Sequence, residues 1–370
     1  LAGRYATRRN LSGPAARALG RPFSRRAPLR MAIYYEPNAI SFTQIFPFLY
    51  HSRQLRDRYG VELRCYPSTD LVAGKAPRAD GADIVLLQVW FTATPETLER
   101  VFGLLAKAHP GARIAFVDSF AHSDIRMAAQ LEPEIGFYLK KSLFRDRENF
   151  FRPFRGDTNL TEFYGDLYGI SAEPVDWNVP RAILPKLRLS PNFFTAPRFL
   201  RTFAAQEMPS LEDRPLDIQT RFGKRGSPWY QAMREDALAR VRAIEGLSLS
   251  PTERVSYPQY MQEMRQSKLC FSPHGYGELC WRDVEGVLSG AVLIKPDMSH
   301  LESLPDIYQP GVTYLPVKWD FSDLEEVVRR ALADPDLRAE IAGNAYRMIA
   351  DYVRQARFVE DMGFLFQEAQ

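Results

Sequence analysis

Cysteine is scarce in this chain, with only Cys65, Cys270 and Cys280 in 370 residues. Their spacing gives neither an even disulfide framework nor a metal-ligand pattern. That excludes a disulfide-stapled scaffold and a zinc module, and it predicts a reducing, cytoplasmic setting. Long apolar runs are missing too: none approaches the ~18 residues that a membrane-spanning helix needs. No apolar stretch has the character of a secretory signal. Acidic residues are absent from positions 1–30, which hold eight arginines (Arg4, Arg8, Arg9, Arg17, Arg21, Arg25, Arg26 and Arg30). The whole chain carries +3, so the body beyond this arm carries −5. A mildly acidic body predicts no nucleic-acid partner. The arm itself reads as a solvated tail, as a transit-like segment, or as a patch that meets an anionic membrane surface from the cytoplasmic side. No repeat at solenoid spacing is present.

What is present is ordinary globular material. Hydrophobic residues make up 45% and charged residues 25%, and the length predicts two domains. Strand-like runs alternate with helical periodicity. MAIYYE (31–36), VELRCYP (61–67), DIVLLQVW (83–90), ARIAFVDSF (112–120) and FYLKKSLF (137–144) read as strands. Helices are predicted over 42–58 and from Pro95 to about His109, the second with Thr94 as its cap. Residues 147–213 are rich in Phe, Tyr, Pro and Asn with weak periodicity, and read as an irregular segment and linker whose aromatics either build core or stack on a sugar. A second series then begins with PLDIQTRF (215–222), helices over 230–244 and 257–266, and strands at AVLIKP (291–296) and VTYLPV (312–317). This alternation predicts an α/β fold with doubly wound sheets.

Ser267 to Lys295, SKLCFSPHGYGELCWRDVEGVLSGAVLIK, is the densest stretch. It reads as strand, glycine-containing loop, helix opening, strand. In a parallel sheet that layout sets the loop and the helix N-terminus at the carboxyl edge, where ligands bind. A helix start favours phosphate, and Arg282 offers a planar fork. Glu285 follows three residues later on the same face, where a carboxylate suits sugar hydroxyls; a plain surface ion pair is the alternative. His274, Gly275, Tyr276 and Gly277 form the loop. RFGKRGSPW (221–229) places Arg221, Lys224 and Arg225 between glycines, suited to an anion or to a solvated turn. Asp297, Met298 and Ser299 follow a strand and are predicted to touch base or sugar.

These residues resemble the donor-site signature of GT-B glycosyltransferases, and most closely the exostosin-like branch. Lys268, Cys270, Phe271, Pro273, Gly275, Arg282, Glu285 and Gly290, followed by the run AVLI, match its K-x-C-[LF]-x-P-x-G and R-x-x-E pattern in order and spacing. The resemblance covers about thirty residues strongly and 215–330 loosely. It implies two Rossmann-like domains facing across a cleft: a basic arm (1–30), an acceptor domain (31–200), a linker (201–213), a nucleotide-sugar domain (214–345) and C-terminal helices (346–370) that cross back. It also implies transfer of a sugar from a nucleotide-diphosphate donor to a glycan or lipid-linked acceptor, with no cofactor and no metal. Arg282 would hold diphosphate and Glu285 ribose. Many retaining members carry two glutamates with seven residues between them, whereas here the position eight before Glu285 is Gly277 and Glu278 lies one place off, which favours inversion. An inverting transfer needs a base, and the resemblance puts it in the first domain, where Asp118, Glu36 and His122 stand at strand ends. A non-catalytic glycan- or nucleotide-binding protein, or another GT-B-shaped enzyme such as an epimerase or phosphorylase, is the alternative.

Overall fold

The computed structural model of the protein describes residues 21–77, 81–251 and 253–367. The first series of elements is β1 (Leu29–Tyr35), α1 (Ala39–Tyr50), α2 (Ser52–Tyr59), β2 (Val61–Pro67), α3 (Thr69–Val72), β3 (Ile84–Leu87), α4 (Pro95–Ala108), β4 (Arg113–Asp118), α5 (Ala128–Leu131), β5 (Phe137–Lys140) and β6 (Ser142–Phe144). The aromatic segment adds β7 (Phe154–Arg155), α6 (Asn159–Leu167), β8 (Pro174–Val175), β9 (Leu187–Leu189) and α7 (Pro197–Ala205). Strands β2, β1, β3, β4, β5 and β9 form a parallel sheet in that order. Order reverses between β1 and β3, which opens a crevice at the carboxyl edge. The four residues of β3 are all buried, as expected of a strand covered on both faces. Helix α4 starts at Pro95, with Thr97 N donating to the Thr94 hydroxyl at 3.3 Å. It turns Leu98, Val101, Phe102 and Leu105 inward at helical spacing.

The second series is β10 (Leu216–Gln219), α8 (Pro228–Ala243), α9 (Tyr257–Arg265), β11 (Ser267–Phe271), α10 (Trp281–Leu288), β12 (Val292–Pro296), β13 (Leu301–Ser303), β14 (Leu315–Val317), α11 (Leu324–Ala333), α12 (Pro335–Arg354), α13 (Arg357–Asp361) and α14 (Phe364–Gln367). Strands β10, β11, β12 and β14 form a second parallel sheet. The fold is therefore α/β with two parallel sheets, the architecture implied above. The chain end returns to the first unit. Phe358 packs edge-on against Phe48 at 4.8 Å, Tyr352 against Phe194 at 5.3 Å, and Phe364 against Phe137 at 5.0 Å. Among the described residues no helix is long and apolar enough to cross a membrane.

Several expected elements differ. The helix over 42–58 is two helices meeting at His51. FYLKKSLF is not one strand. It leaves the sheet at Lys141, and β6 instead pairs antiparallel with β13 of the second unit, Phe144 opposite Leu301. The segment read as linker is largely structure: it supplies β9, and Phe150, Phe154, Tyr164, Phe193, Phe194 and Phe203 are all buried. Those rings build core and are not free to stack on a sugar. Residues 1–20 of the basic arm lie outside the described residues. At its end, the carbonyl of Pro22 accepts from Arg64 Nη2 of β2 at 2.8 Å.

Candidate active site at the seam between the two sheets

The loop after β11 and the first turn of α10 are organised by Asp283, which is fully buried. Its carboxylate accepts from Ser272 Oγ at 2.5 Å, from Tyr308 OH at 2.7 Å and from the Cys280 backbone N–H at 3.0 Å. Lys295 Nζ, also fully buried, stands 3.2 Å away. An ion pair without water is stable only when its remaining bonding capacity is met. Here the helix N-terminus, a serine and a tyrosine meet it, so the start of α10 is rigidly set.

That rigidity aims Arg282 and Glu285 at one cluster. Arg282 Nη1 donates to Gln219 Oε1 at the end of β10, at 2.6 Å, and its guanidinium lies 5.6 Å from the rings of both Phe222 and Tyr260. Glu285 is 7% exposed. Its two oxygens accept separately from Tyr257 OH at 2.9 Å and Tyr260 OH at 2.8 Å. Arg198 Nη2 lies 4.0 Å off. Burial raises the Glu285 pKa, against the opposing pull of Tyr260 and Arg282. A cation and a hydroxyl-binding carboxylate thus share one helix face at a sheet's carboxyl edge. The tyrosines of α9, an i, i+3 pair, were readable as a helix face but not as partners of Glu285.

The same loop meets the first unit. A Cβ on Gly277 would fall 1.8 Å from the carbonyl oxygen of Ala121, in the loop after β4. Only glycine fits there. The next residue, Glu278, is fully buried and bridges the units: Ser123 Oγ donates to it at 2.8 Å and Asn159 Nδ2 at 2.9 Å, while His300 Nε2 stands 3.5 Å away. Burial alone would push this carboxyl up; His300, His274 and Asn159 overcome that and hold it well below the usual carboxylate range. The loops at the two carboxyl edges therefore face each other across this contact. Glu278, with no partner visible in its sequence neighbourhood, is the main residue that pattern reading passed over.

The expected bases separate on geometry. Asp118 is not free to act: Phe120 N donates to Oδ1 at 2.8 Å, and Tyr138 OH and Lys140 Nζ each donate to Oδ2 at 2.7 Å. With the side chain 3% exposed, it is an internal anchor of the sheet edge. His122 lies beside the seam, its ring 6.5 Å from that of Tyr276. Arg126 Nη2 is 3.0 Å from His122 Nδ1. A guanidinium only donates, so Nδ1 accepts and the ring proton sits on Nε2. The expected base therefore has its acceptor nitrogen occupied by Arg126, and its Nε2 is buried without a hydrogen-bond partner among the described residues. Arg126 is itself held by Asp124 at 2.8 Å and Asp157 at 3.1 Å, between the rings of Phe120 and Trp177. Burial lowers the His122 pKa, against the opposing pull of Asp124 and Asp157. Glu36, after β1, is only half buried. Burial raises its pKa, with Ser68 Oγ 3.5 Å away pulling the other way. A further group, Lys141, is buried at the end of β5 and donates to the Ser119 carbonyl at 3.0 Å. Burial, then neighbouring Lys140, pushes its pKa down to about 7.

The remaining donor expectations divide similarly. Arg221 is occupied by Glu263 and by the Glu253 carbonyl, so it is unavailable to an anion. Lys224 and Arg225 are exposed. His274 is fully buried, with Nδ1 3.1 Å from Tyr164 OH and its carbonyl gripped by Arg234 Nη2 at 2.7 Å, so it holds the loop. Gly275 N donates to the Gly277 carbonyl at 2.9 Å, closing the turn. Tyr276 is 45% exposed and stacks on Tyr230 at 4.6 Å. Met298 is completely buried and cannot touch a base or sugar. Asp297 and Ser299 are at the surface, hydrogen-bonded to each other. Of the expected donor residues, Arg282 and Glu285 come together, whereas the 221–225 cations do not join them.

No curated protein sequence matches the chain. Among solved structures it is similar to an alpha-glucosyltransferase in complex with UDP and a 13-mer DNA containing a HMU base, at 11% identity and TM-score 0.48, covering 92% of this chain and 98% of that one. It is also similar to TarM, at 10% identity and TM-score 0.47, covering 89% and 58%. A glycosyltransferase from Rickettsia africae is similar at 8% identity and TM-score 0.47, covering 92% and 98%. Residues 209–362 match the family model described as glycosyl transferase-like. That match spans the unit built on β10 to β14, with Arg282 and Glu285 in the first turns of α10.

Proposed function

We propose that the protein transfers a sugar from a nucleotide-diphosphate donor to a hydroxyl of a glycan or lipid-linked acceptor bound by the first unit. The carrying observation is the pairing of Arg282 and Glu285 on one rigidly set helix face, within the matched domain, beside the seam. Arg282 would neutralise the leaving diphosphate together with the first amides of α10, the kind of preorganised electrostatics that contributes most to such reactions. Glu285 would exchange its tyrosine partners for the ribose hydroxyls. A side-chain cation at the leaving group supports a transfer that runs without a divalent ion.

Inversion requires one base. Glu36 fits that role best of the three expected groups. It stands at the switch point of the first sheet and is half exposed, and its raised pKa brings its basicity toward the working pH. The acidic body, at −5 beyond residues 1–30, favours a neutral acceptor over a nucleic acid. The arginines of residues 1–30 suit contact with anionic lipid.

The test is stabilisation of the full chain by UDP or GDP in the presence of EDTA, beside Arg282→Ala. The parent should gain several degrees in Tm and the variant should gain almost none. If neither nucleotide shifts the parent, the donor reading fails. If both proteins shift equally, the assignment of Arg282 fails.

A further inference from the structure

Arg234, on α8, is a buried cation that the chemistry above leaves unused. All of its hydrogen bonds among the described residues go to backbone carbonyls. Nη1 donates to Gly223 at 3.0 Å, Nε and Nη2 donate to His274 at 3.0 and 2.7 Å, and Nη2 reaches Pro273 at 3.5 Å. The guanidinium packs on the rings of Tyr230 at 4.6 Å and Phe222 at 5.5 Å, and the same Phe222 ring lies 5.6 Å from Arg282. Asp283, whose negative charge reaches Arg234, is already paired with Lys295. A cation taken out of water is costly unless it is both bonded and neutralised. Here the bonds are made and the charge is left over.

The carbonyls that Arg234 holds belong to two different loops. Gly223 follows β10 and His274 follows β11, and these strands are parallel neighbours, so both loops leave the same sheet edge side by side. One planar fork spans them, which a lysine ammonium cannot do from a single point. On the outer side the loops are joined again: Tyr276 stacks on Tyr230, and Ser227 N donates to Tyr276 OH at 3.2 Å. The trans peptide that turns the Gly223 carbonyl onto Arg234 turns the Lys224 amide the other way, toward the exposed side of its loop. Carbonyls are thus drawn inward and an amide is presented outward, over a charge with no carboxylate bound to it. We propose that Arg234 is a positioning residue, which clamps loops 221–227 and 273–277 into one body and sets an unneutralised positive charge beneath them for an anionic ligand. The inference rests on the proposed function, in which that anion is the leaving diphosphate: Arg282 would touch it, and Arg234 acts on it through the two loops.

Hydrogen exchange and ligand titration on the full chain test it together. Arg234→Met removes both the charge and the fork. Amide exchange should rise about tenfold in both loops at once. Affinity should fall in the order of ligand charge, about tenfold for UDP, less for UMP and not at all for uridine. Arg234→Lys keeps the charge without the fork, so it should free both loops yet recover most of the lost UDP affinity. Exchange that rises in one loop alone, or in neither, overturns the clamp, and Arg234→Lys reads this even where Arg234→Met fails to fold. An equal loss for every ligand that binds, or no recovery with lysine, makes Arg234 a structural part only and overturns the role of its charge. A parent protein blind to UDP and GDP, whose loops still come free together in the variants, would overturn the donor reading, and the charge with it, while leaving the clamp standing.

Discussion

Glu278 and Glu285 stand seven residues apart, one in the loop and one in the helix that follows. Both are buried, yet they meet opposite surroundings. Glu278 faces the other unit and is held ionised by two histidines, an amide and a serine. Glu285 faces its own unit, where burial pushes its proton affinity up and two tyrosine hydroxyls occupy its oxygens. Identical side chains thus serve different ends: one joins the units, and the other is poised to trade partners with a hydroxylated ligand. The difference lies in what the fold brings to each, not in the residue or its local sequence.

The contrast can be broken hardest at Glu278. Glu278→Ala strands Ser123, Asn159 and His300 inside the seam. It should cost about 3–5 kcal/mol, the usual loss when one side of a buried ionic network is removed, read as a lowered urea midpoint. A loss under about 1 kcal/mol would show the bridge to be incidental. Glu285→Gln keeps the shape and should leave stability nearly unchanged. It should weaken nucleotide binding by about tenfold, in line with a hydrogen bond to a charged group, and titration calorimetry with UDP would measure it. Equal stability losses in both variants would erase the proposed division of labour.

The smallest effect is in the pH dependence, and its sign differs between the two. The Glu278 pKa is depressed in the fold, so its contribution is present above the unfolded value of about 4.3 and is lost as pH falls through the lower folded value. The unfolded chain binds more protons in that window, so stability rises with pH. The Glu285 pKa is raised, so the folded chain binds more protons just above about pH 4.3 and stability falls as pH increases there. Glu278→Gln should therefore flatten the acid limb of a stability profile, whereas Glu285→Gln should steepen it. Parallel changes in the two profiles would contradict the environments described for them.

How much was legible in advance follows from the range of each interaction. The β11–loop–α10 unit was readable because its signals are local: an apolar strand, a proline and glycine turn, and a helix face with Arg282 and Glu285 three apart. Asp118 was misjudged because its partners Tyr138 and Lys140 arrive from the neighbouring strand. Arg221 was misjudged because Glu263 belongs to a helix forty-two positions on. His122 lies in the loop after β4, and its proton-bearing nitrogen depends on Arg126, which in turn depends on Asp157 and two aromatic rings. FYLKKSLF looked like one strand because strand propensity cannot tell which sheet a residue will join.

By itself the amino-acid order determined that this chain alternates strands and helices, builds two parallel sheets, and opens α10 with a cation and a carboxylate on one face. Period, capping and turn chemistry act over a few residues, so they can be read there. Only the tertiary structure decided which charged groups are spent on holding the molecule together. It also made Gly277 obligatory against Ala121, and it brought Phe144 and Trp319 to the walls of one open pocket. The last two outcomes depend on residues more than a hundred positions apart, which meet only once both units have packed, and the first depends on partners brought in from neighbouring strands and helices.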